Sequence, residues 1–161
     1  MKYFSLLLII LFISGCTKEV PETEKRISKT VEEEAIQKLI EHFYTAYNSG
    51  DIETAVTLID EHYKGMAPDS EDVNGVDNLT NELYQFKNEY PEGKWEIKIE
   101  ELTVENNLAY VIINGSFLMP DPIEKKMNPI YSERSIKILK KEKNEGWKIY
   151  RSISLPTFTY N

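Results

Sequence analysis

The sequence predicts an α+β domain in which three N-terminal helices pack on one face of a curved, mainly antiparallel sheet of about four strands. Three observations predict it. Apolar residues recur at three- and four-residue spacing from Val31 to about Tyr90, then at every second residue from Lys94 onward. Glycine, proline and asparagine clusters mark the places where the pattern changes. All the helical stretches precede all the strand stretches, which segregates the helices to one side of the sheet.

The first helix starts near Val31, and Ile36, Leu39, Ile40, Phe43, Ala46 and Tyr47 form its apolar stripe. "NSGD" ends it: Gly50 suits the left-handed C-terminal position, and Asp51 can cap the next helix. That second helix is read as "DIETAVTLIDEHY", with Ile52, Ala55, Val56 and Ile59 on its buried side. "KGMAPDSEDVNG" is loop by composition. A third helix from about Val76 to Tyr90 carries Leu79, Leu83 and Phe86, and "PEG" terminates it.

Strands come next. "KWEIKIE" alternates strictly, with Trp95, Ile97 and Ile99 inward and Glu96 and Lys98 outward. The phase slips at Glu100-Glu101, so that Leu102 and Val104 become the inward pair, which predicts a β-bulge. Asn106-Asn107 makes a tight turn into "LAYVIINGSFLM", apolar on both faces and so central or under a subunit contact. "PDPIEKKMNP" reads as a long loop, and "IYSERSIKILKK" and "WKIYRSISL" as the closing hairpin.

The 161 residues, 41% hydrophobic and 29% charged, suit one domain with a substantial core. Residues 1–15 stand apart. Lys2 precedes the unbroken apolar run "FSLLLIILFI", and "ISGC" closes it with small residues before Cys16, which is the pattern of an export signal. The run is too short for a comfortable membrane span. Cys16 is the only cysteine, so no intramolecular disulfide can form. Ile13-Ser14-Gly15-Cys16 resembles the lipobox of bacterial lipoproteins, which implies lipidation at Cys16, cleavage before it and membrane anchoring at the cell envelope. The other reading is a secretory signal followed by a free thiol. Residues 16–30 are expected to be the lipidated cysteine and a polar tether, and 31–161 the folded domain.

Loss of Lys2 with the signal leaves 18 basic against 27 acidic residues, a charge of −9. That argues against nucleic-acid binding and against a basic membrane-docking face. No metal-ligand spacing, phosphate-binding glycine loop or Ser-His-Asp arrangement is recognisable, so no cofactor or metal is expected.

"YTAYNSGDIETAVTLID", "NGVDNL" and "ERSIKILKKEKNEGWKIYRSIS", in that order and spacing, resemble the SnoaL-like branch of the nuclear-transport-factor-2-like superfamily. The match runs from about Ala35 to Pro156. The resemblance implies a cone-shaped α+β barrel with a cavity between the helices and the concave sheet face. It also implies, for the family's enzymes, an inward Asp or His acting as general acid or base. This chain departs from that pattern. No aspartate falls in an expected strand, the strand glutamates mostly fall on wet faces as Glu96 does, His42 sits at the border of its helix's apolar stripe, and His62 follows the second helix.

What remains for a site is the closing hairpin. If Lys141 and Gly146 flank its turn, Arg134 and Arg151 become diagonal neighbours on the concave face beside Trp147, Ile149 and Ile153. The chain has only three arginines, and two fall here. Such a pair suits an anionic small molecule, with Trp147, Tyr47 or Tyr110 against its apolar body. The alternative is an internal salt bridge, to Glu133, Asp51 or Glu61, or arginines reaching water at the cone rim. Three functions stay open at this point: a non-catalytic binder of a small ligand or partner, an isomerase-, dehydratase- or cyclase-like enzyme built on Tyr47, His42 and Arg151, and a homodimerisation module using the doubly apolar strand.

Overall fold

The structure, a computed structural model, describes residues 22–68 and 70–159; Cys16 and the export signal lie outside them. The chain folds as α1 (Glu22–Ser49), α2 (Ile52–Thr57), β1 (Ile59–Met66), β2 (Val73–Asn74), α3 (Val76–Glu89), β3 (Lys94–Glu105), β4 (Leu108–Pro120), β5 (Met127–Glu142) and β6 (Gly146–Thr159). One six-stranded sheet has the order β2-β1-β6-β5-β4-β3. Every neighbouring pair is antiparallel except β1 and β6. Among the described residues no helix is long and apolar enough to cross a membrane.

α1 begins at Glu22, well before the expected start at Val31, so part of the expected tether is helical. "EKRISKTVEEE" is rich in good helix formers and holds no breaker, which explains the extension. Gly50 takes φ +82°, and the Asp51 carboxylate accepts the Thr54 amide at 3.0 Å, so the turn and cap form as expected. α2 then stops at Thr57, not Tyr63. Ile59–Met66 instead forms β1, with Ile59, Tyr63 and Gly65 buried, and it runs parallel to β6. With β2, this raises the strand count from about four to six. The helical reading failed because Ile59 and Tyr63 keep four-residue spacing with Ala55, which leaves the 3.6-residue pattern unbroken across the boundary.

The bulge in β3 is present: pairing with β4 shifts between Ile99 and Glu101. The expected 120–129 loop is shorter, because β4 runs to Pro120 and β5 starts at Met127. Asp121 closes it by accepting the amides of Ile123 (2.7 Å) and Glu124 (2.8 Å).

The closing hairpin needs a correction that governs the site. Its turn is flanked by Glu142 and Gly146, and Lys141 pairs with Trp147. Leu139 pairs with Ile149, but Ile138 pairs with Arg151, so Tyr150 is an extra residue on β6. A one-residue bulge reverses which side chains face inward. Trp147 and Ile149 point into the core, 6% and 3% exposed, whereas beyond the bulge the inward residues are Ser152 and Ser154. Arg151, Ile153 and Leu155 then share the outer face with Arg134, Ile136 and Ile138.

The core lies between the helices and the inner sheet face. Ile36, Ile40 and Tyr44 of α1 meet Val111, Ile113, Leu139 and Ile149 of the sheet.

Candidate functional site

A cavity of about 460 Å³ opens between α1, α3 and the inner sheet face. Its walls follow from helix periodicity. Phe43, Tyr44 and Tyr47 project from one side of α1, and Leu79, Leu83 and Phe86 from the apolar stripe of α3. Ile59 and Tyr63 of β1, Trp95 of β3 and Ile149 of β6 complete the apolar lining. Glu82, Gln85 and Glu89, exposed on α3, stand at the mouth. The volume is in the range that holds small organic ligands.

The floor is polar. Glu133, Ser135 and Lys137 alternate along the inner face of β5, and Ser154 and Ser152 stand opposite Ser135 and Lys137 on β6. Glu133 is 9% exposed and accepts from the Tyr131 hydroxyl at 3.2 Å and the Ser154 hydroxyl at 3.3 Å. Lys137 Nζ donates to Ser152 Oγ at 2.6 Å, and Ser152 hydrogen-bonds Tyr63 in turn. Burial holds the Lys137 ammonium below its ordinary pKa, partly opposed by the nearby Glu133 carboxylate. Ser135 Oγ is buried with no hydrogen-bond partner among the described residues, an unused polar atom in the same row.

Burial also raises the phenols. Tyr47 and Tyr63 are each pushed up to about 12, and Tyr44 is raised further, so all three stay protonated at neutral pH. Desolvation raises the Glu82 carboxyl at the mouth as well. The lining thus carries Glu82, Glu89 and Glu133 against one cation, Lys137.

A second group of contacts fixes the aromatic end of the cavity. Asn48, near the end of α1, accepts the Trp95 amide and donates to the Trp95 carbonyl, both at 2.8 Å. Lys87 of α3 donates to the Gly93 carbonyl at 3.1 Å and the Asn48 carbonyl at 3.3 Å. These ties hold Trp95 against Phe117 (ring centroids 5.5 Å apart) and Tyr131 (5.9 Å), with Phe86 on Phe117 at 4.8 Å. Gly93 lies so close to the Phe117 ring that a Cβ there would collide with it.

Of the five residues expected to bind a ligand, the structure brings only Tyr47 to the cavity. Trp147 is buried elsewhere, its indole donating to Glu32 Oε2 at 2.6 Å. Tyr110 is 36% exposed on the outer face, its hydroxyl donating to Glu101. Arg134 pairs with Glu100 at 2.8 Å on that same face, so it is salt-bridged, but not to Glu133, Asp51 or Glu61. Arg151 lies over the Tyr150 ring, 3.5 Å from its centroid, and donates to the backbone carbonyls of His62 and Tyr150, both at 2.7 Å. The expected inward arginine pair does not form, because the Tyr150 bulge reverses the end of β6 and the turn sets the opposite parity on β5. His42 and His62 are both exposed and away from the cavity, so Tyr47, His42 and Arg151 are not brought together. Sequence reasoning missed Glu133, Lys137, Tyr44 and Tyr63. The alternation Glu133-Ser135-Lys137 was visible, but a polar row beside the apolar Ile136 and Ile138 reads as the wet side.

No family model matches the chain, and no curated protein is similar to it. Solved structures share its fold. A nuclear-transport-factor-2-like protein with a cystatin-like fold from Novosphingobium aromaticivorans superposes with a TM-score of 0.72 at 13% identity, over 88% of this chain and 92% of that one. A ketosteroid isomerase-like protein from Erwinia carotovora atroseptica gives 0.63 at 18% identity, over 79% and 97%. A putative dehydratase of the same fold family from Streptomyces avermitilis gives 0.66 at 15%, over 81% and 99%. The chain has the nuclear-transport-factor-2-like, cystatin-like α+β fold. At these identities the likeness concerns the fold; the same architecture carries many unrelated functions.

Proposed function

We propose that this chain is a lipid-anchored cell-envelope protein whose cone domain binds a small, largely apolar ligand without transforming it. The observation that carries the reading is the cavity: about 460 Å³, aromatic on its walls, with a short polar row on its floor. Such a site holds an apolar body against Phe43, Tyr47 and Trp95 and orients it by one polar group at Glu133 or Lys137. With both arginines engaged on the outer face, the lining favours a neutral ligand over the anionic one expected from an arginine pair. Native mass spectrometry of the chain purified from its own host tests this. The wild type should carry a small molecule that Leu83→Trp, which fills the cavity, does not. An empty wild type that also fails to bind any apolar probe contradicts the reading.

The anchor rests on Cys16 and its lipobox-like context. The N-terminal part of α1 is set apart from the cavity. Glu32 clasps Lys141 and Trp147 at the hairpin end, while Tyr47 lines the cavity about 22 Å further along the helix. Radiolabelled palmitate incorporation that persists in Cys16→Ser would contradict lipidation there.

An acid–base enzyme is the second reading, and Glu133 favours it. A carboxylate nine-tenths buried beside a phenol in an apolar cavity is the type of group that performs proton transfer. Turnover of an enolisable ketone that is lost in Glu133→Gln, with binding retained, would establish that reading over the first.

A further inference from the structure

We propose that Lys137 captures its ligand covalently, its Nζ forming a reversible imine with an aldehyde or ketone carried by an apolar molecule in the cavity. The inference rests on the reading that this cavity is the ligand site. Lys137 is the cation of the lining, and among the described residues no carboxylate lies within salt-bridge distance of its Nζ. A lysine in such surroundings is either an expensive structural choice or a nucleophile, since desolvation favours the free amine over the ammonium. Its packing supports the second. Nζ donates to Ser152 Oγ, and the Ser152 hydroxyl is itself engaged with Tyr63. Among the described residues Ser152 is the one hydrogen-bond partner of Nζ, so the rest of the group is committed to no other side chain. Burial holds the group below its ordinary pKa, which agrees with the geometry.

The chemistry balances without an external oxidant or reductant. The Nζ lone pair attacks the carbonyl carbon, a C–N bond forms, and the C–O π pair moves to oxygen, which takes up a proton. The resulting carbinolamine loses that oxygen as water while the nitrogen lone pair closes the C=N bond and Nζ releases its remaining proton. One amine and one carbonyl give one imine and one water. The two protons that Nζ gives up are the two that the departing water carries away. Tyr44 and Tyr63, both protonated, add no charge of their own to the lining.

The test exposes the full chain to 3-phenylpropanal with sodium cyanoborohydride, which reduces any imine to a stable secondary amine, and maps the modified peptides. Binding of 3-phenylpropan-1-ol, a probe of the same shape without a carbonyl, is followed by tryptophan fluorescence in parallel. The expected result is adduct at Lys137 about tenfold or more above any exposed lysine, a tenfold ratio corresponding to about 1.4 kcal/mol in favour of the cavity amine. The alcohol should compete for that labelling. Lys137→Arg should abolish the adduct while keeping the near-UV circular dichroism of the wild type, which shows that the variant is folded. If the alcohol binds but Lys137 is labelled no faster than exposed lysines, imine capture is overturned and the ligand cavity stands. If neither probe enters the cavity, both readings fall together.

Discussion

Arg151 takes up a carbonyl that the sheet leaves without a strand partner. Where β6 bulges at Tyr150, the pairing of β1 jumps from Ile59 to Lys64, and the intervening His62 carbonyl accepts the guanidinium instead. Arg151→Met removes that donor and the stacking on Tyr150. It should cost about 1–2 kcal/mol of stability in thermal or urea unfolding while leaving ligand affinity unchanged. A loss of affinity with no loss of stability would return Arg151 to the binding site. Glu32 is a second residue with a defined task. Hydrogen bonds from Lys141 and Trp147 hold its carboxyl below the ordinary range, so its stabilisation is present above pH 4.5 and fades as pH falls through the folded value. Glu32→Gln should therefore lower the melting temperature at pH 7, with the gap to wild type closing on acidification. An equal gap at pH 3 and pH 7 would contradict the assignment.

At the level of elements, the two bulges show what the sequence made legible. In β3 the slip is written in the residues: "EIKIEELTVE" changes phase, because its outer face is charged and its inner face apolar. In β6 the same device is silent. Trp147, Ile149, Arg151 and Ile153 continue an unbroken alternation, since the inner face turns polar at Ser152 just where the outer face turns apolar at Ile153. Alternation reports burial only when the inside is apolar, and a polar cavity floor inverts the signal. β1 was hidden for the related reason that Ile59 and Tyr63 fit a helical period as well as a strand. The presence of three helices, the Gly50-Asp51 turn and the β3 bulge were readable from local chemistry, whereas the start of α1 and the end of α2 were not. The contact between α1, α3 and β3 makes its own prediction. Gly93→Ala drives a methyl group into the Phe117 ring and should destabilise by about 1–3 kcal/mol, with loss of near-UV circular dichroism from the cluster around Trp95. An unchanged near-UV spectrum would show that the cluster does not depend on this close approach.

For the whole molecule, the two faces of one sheet differ in what they present. The inner face carries the cavity. The outer face carries Tyr110, Ile112, Ile136, Ile138, Ile153 and Leu155, with Leu155 54% and Ile136 37% exposed. We propose that this face pairs with a second copy of the chain, since contiguous exposed apolar surface usually marks a contact. Sedimentation at micromolar concentration should show a dimer that Ile136→Glu dissociates, and a monomeric wild type would contradict it. The buried phenols supply a global check on the fold. Tyr47 and Tyr63 are held near 12, above the ordinary value of 10, so their stabilisation is complete below pH 10 and is lost as pH rises through about 12. Absorbance at the phenolate band should therefore show a late group of tyrosines that ionise together with unfolding.

The central claim is that the ligand site is inside the cone and not at the arginines. Amide chemical-shift mapping of the 15N-labelled chain during titration with 3-phenylpropan-1-ol tests it most directly. The account predicts perturbations concentrated at Phe43, Tyr47, Leu83, Trp95, Lys137 and Ser154, with Tyr110, Arg134 and Arg151 silent. Shifts clustered at those three outer residues, or none at millimolar probe, would contradict it.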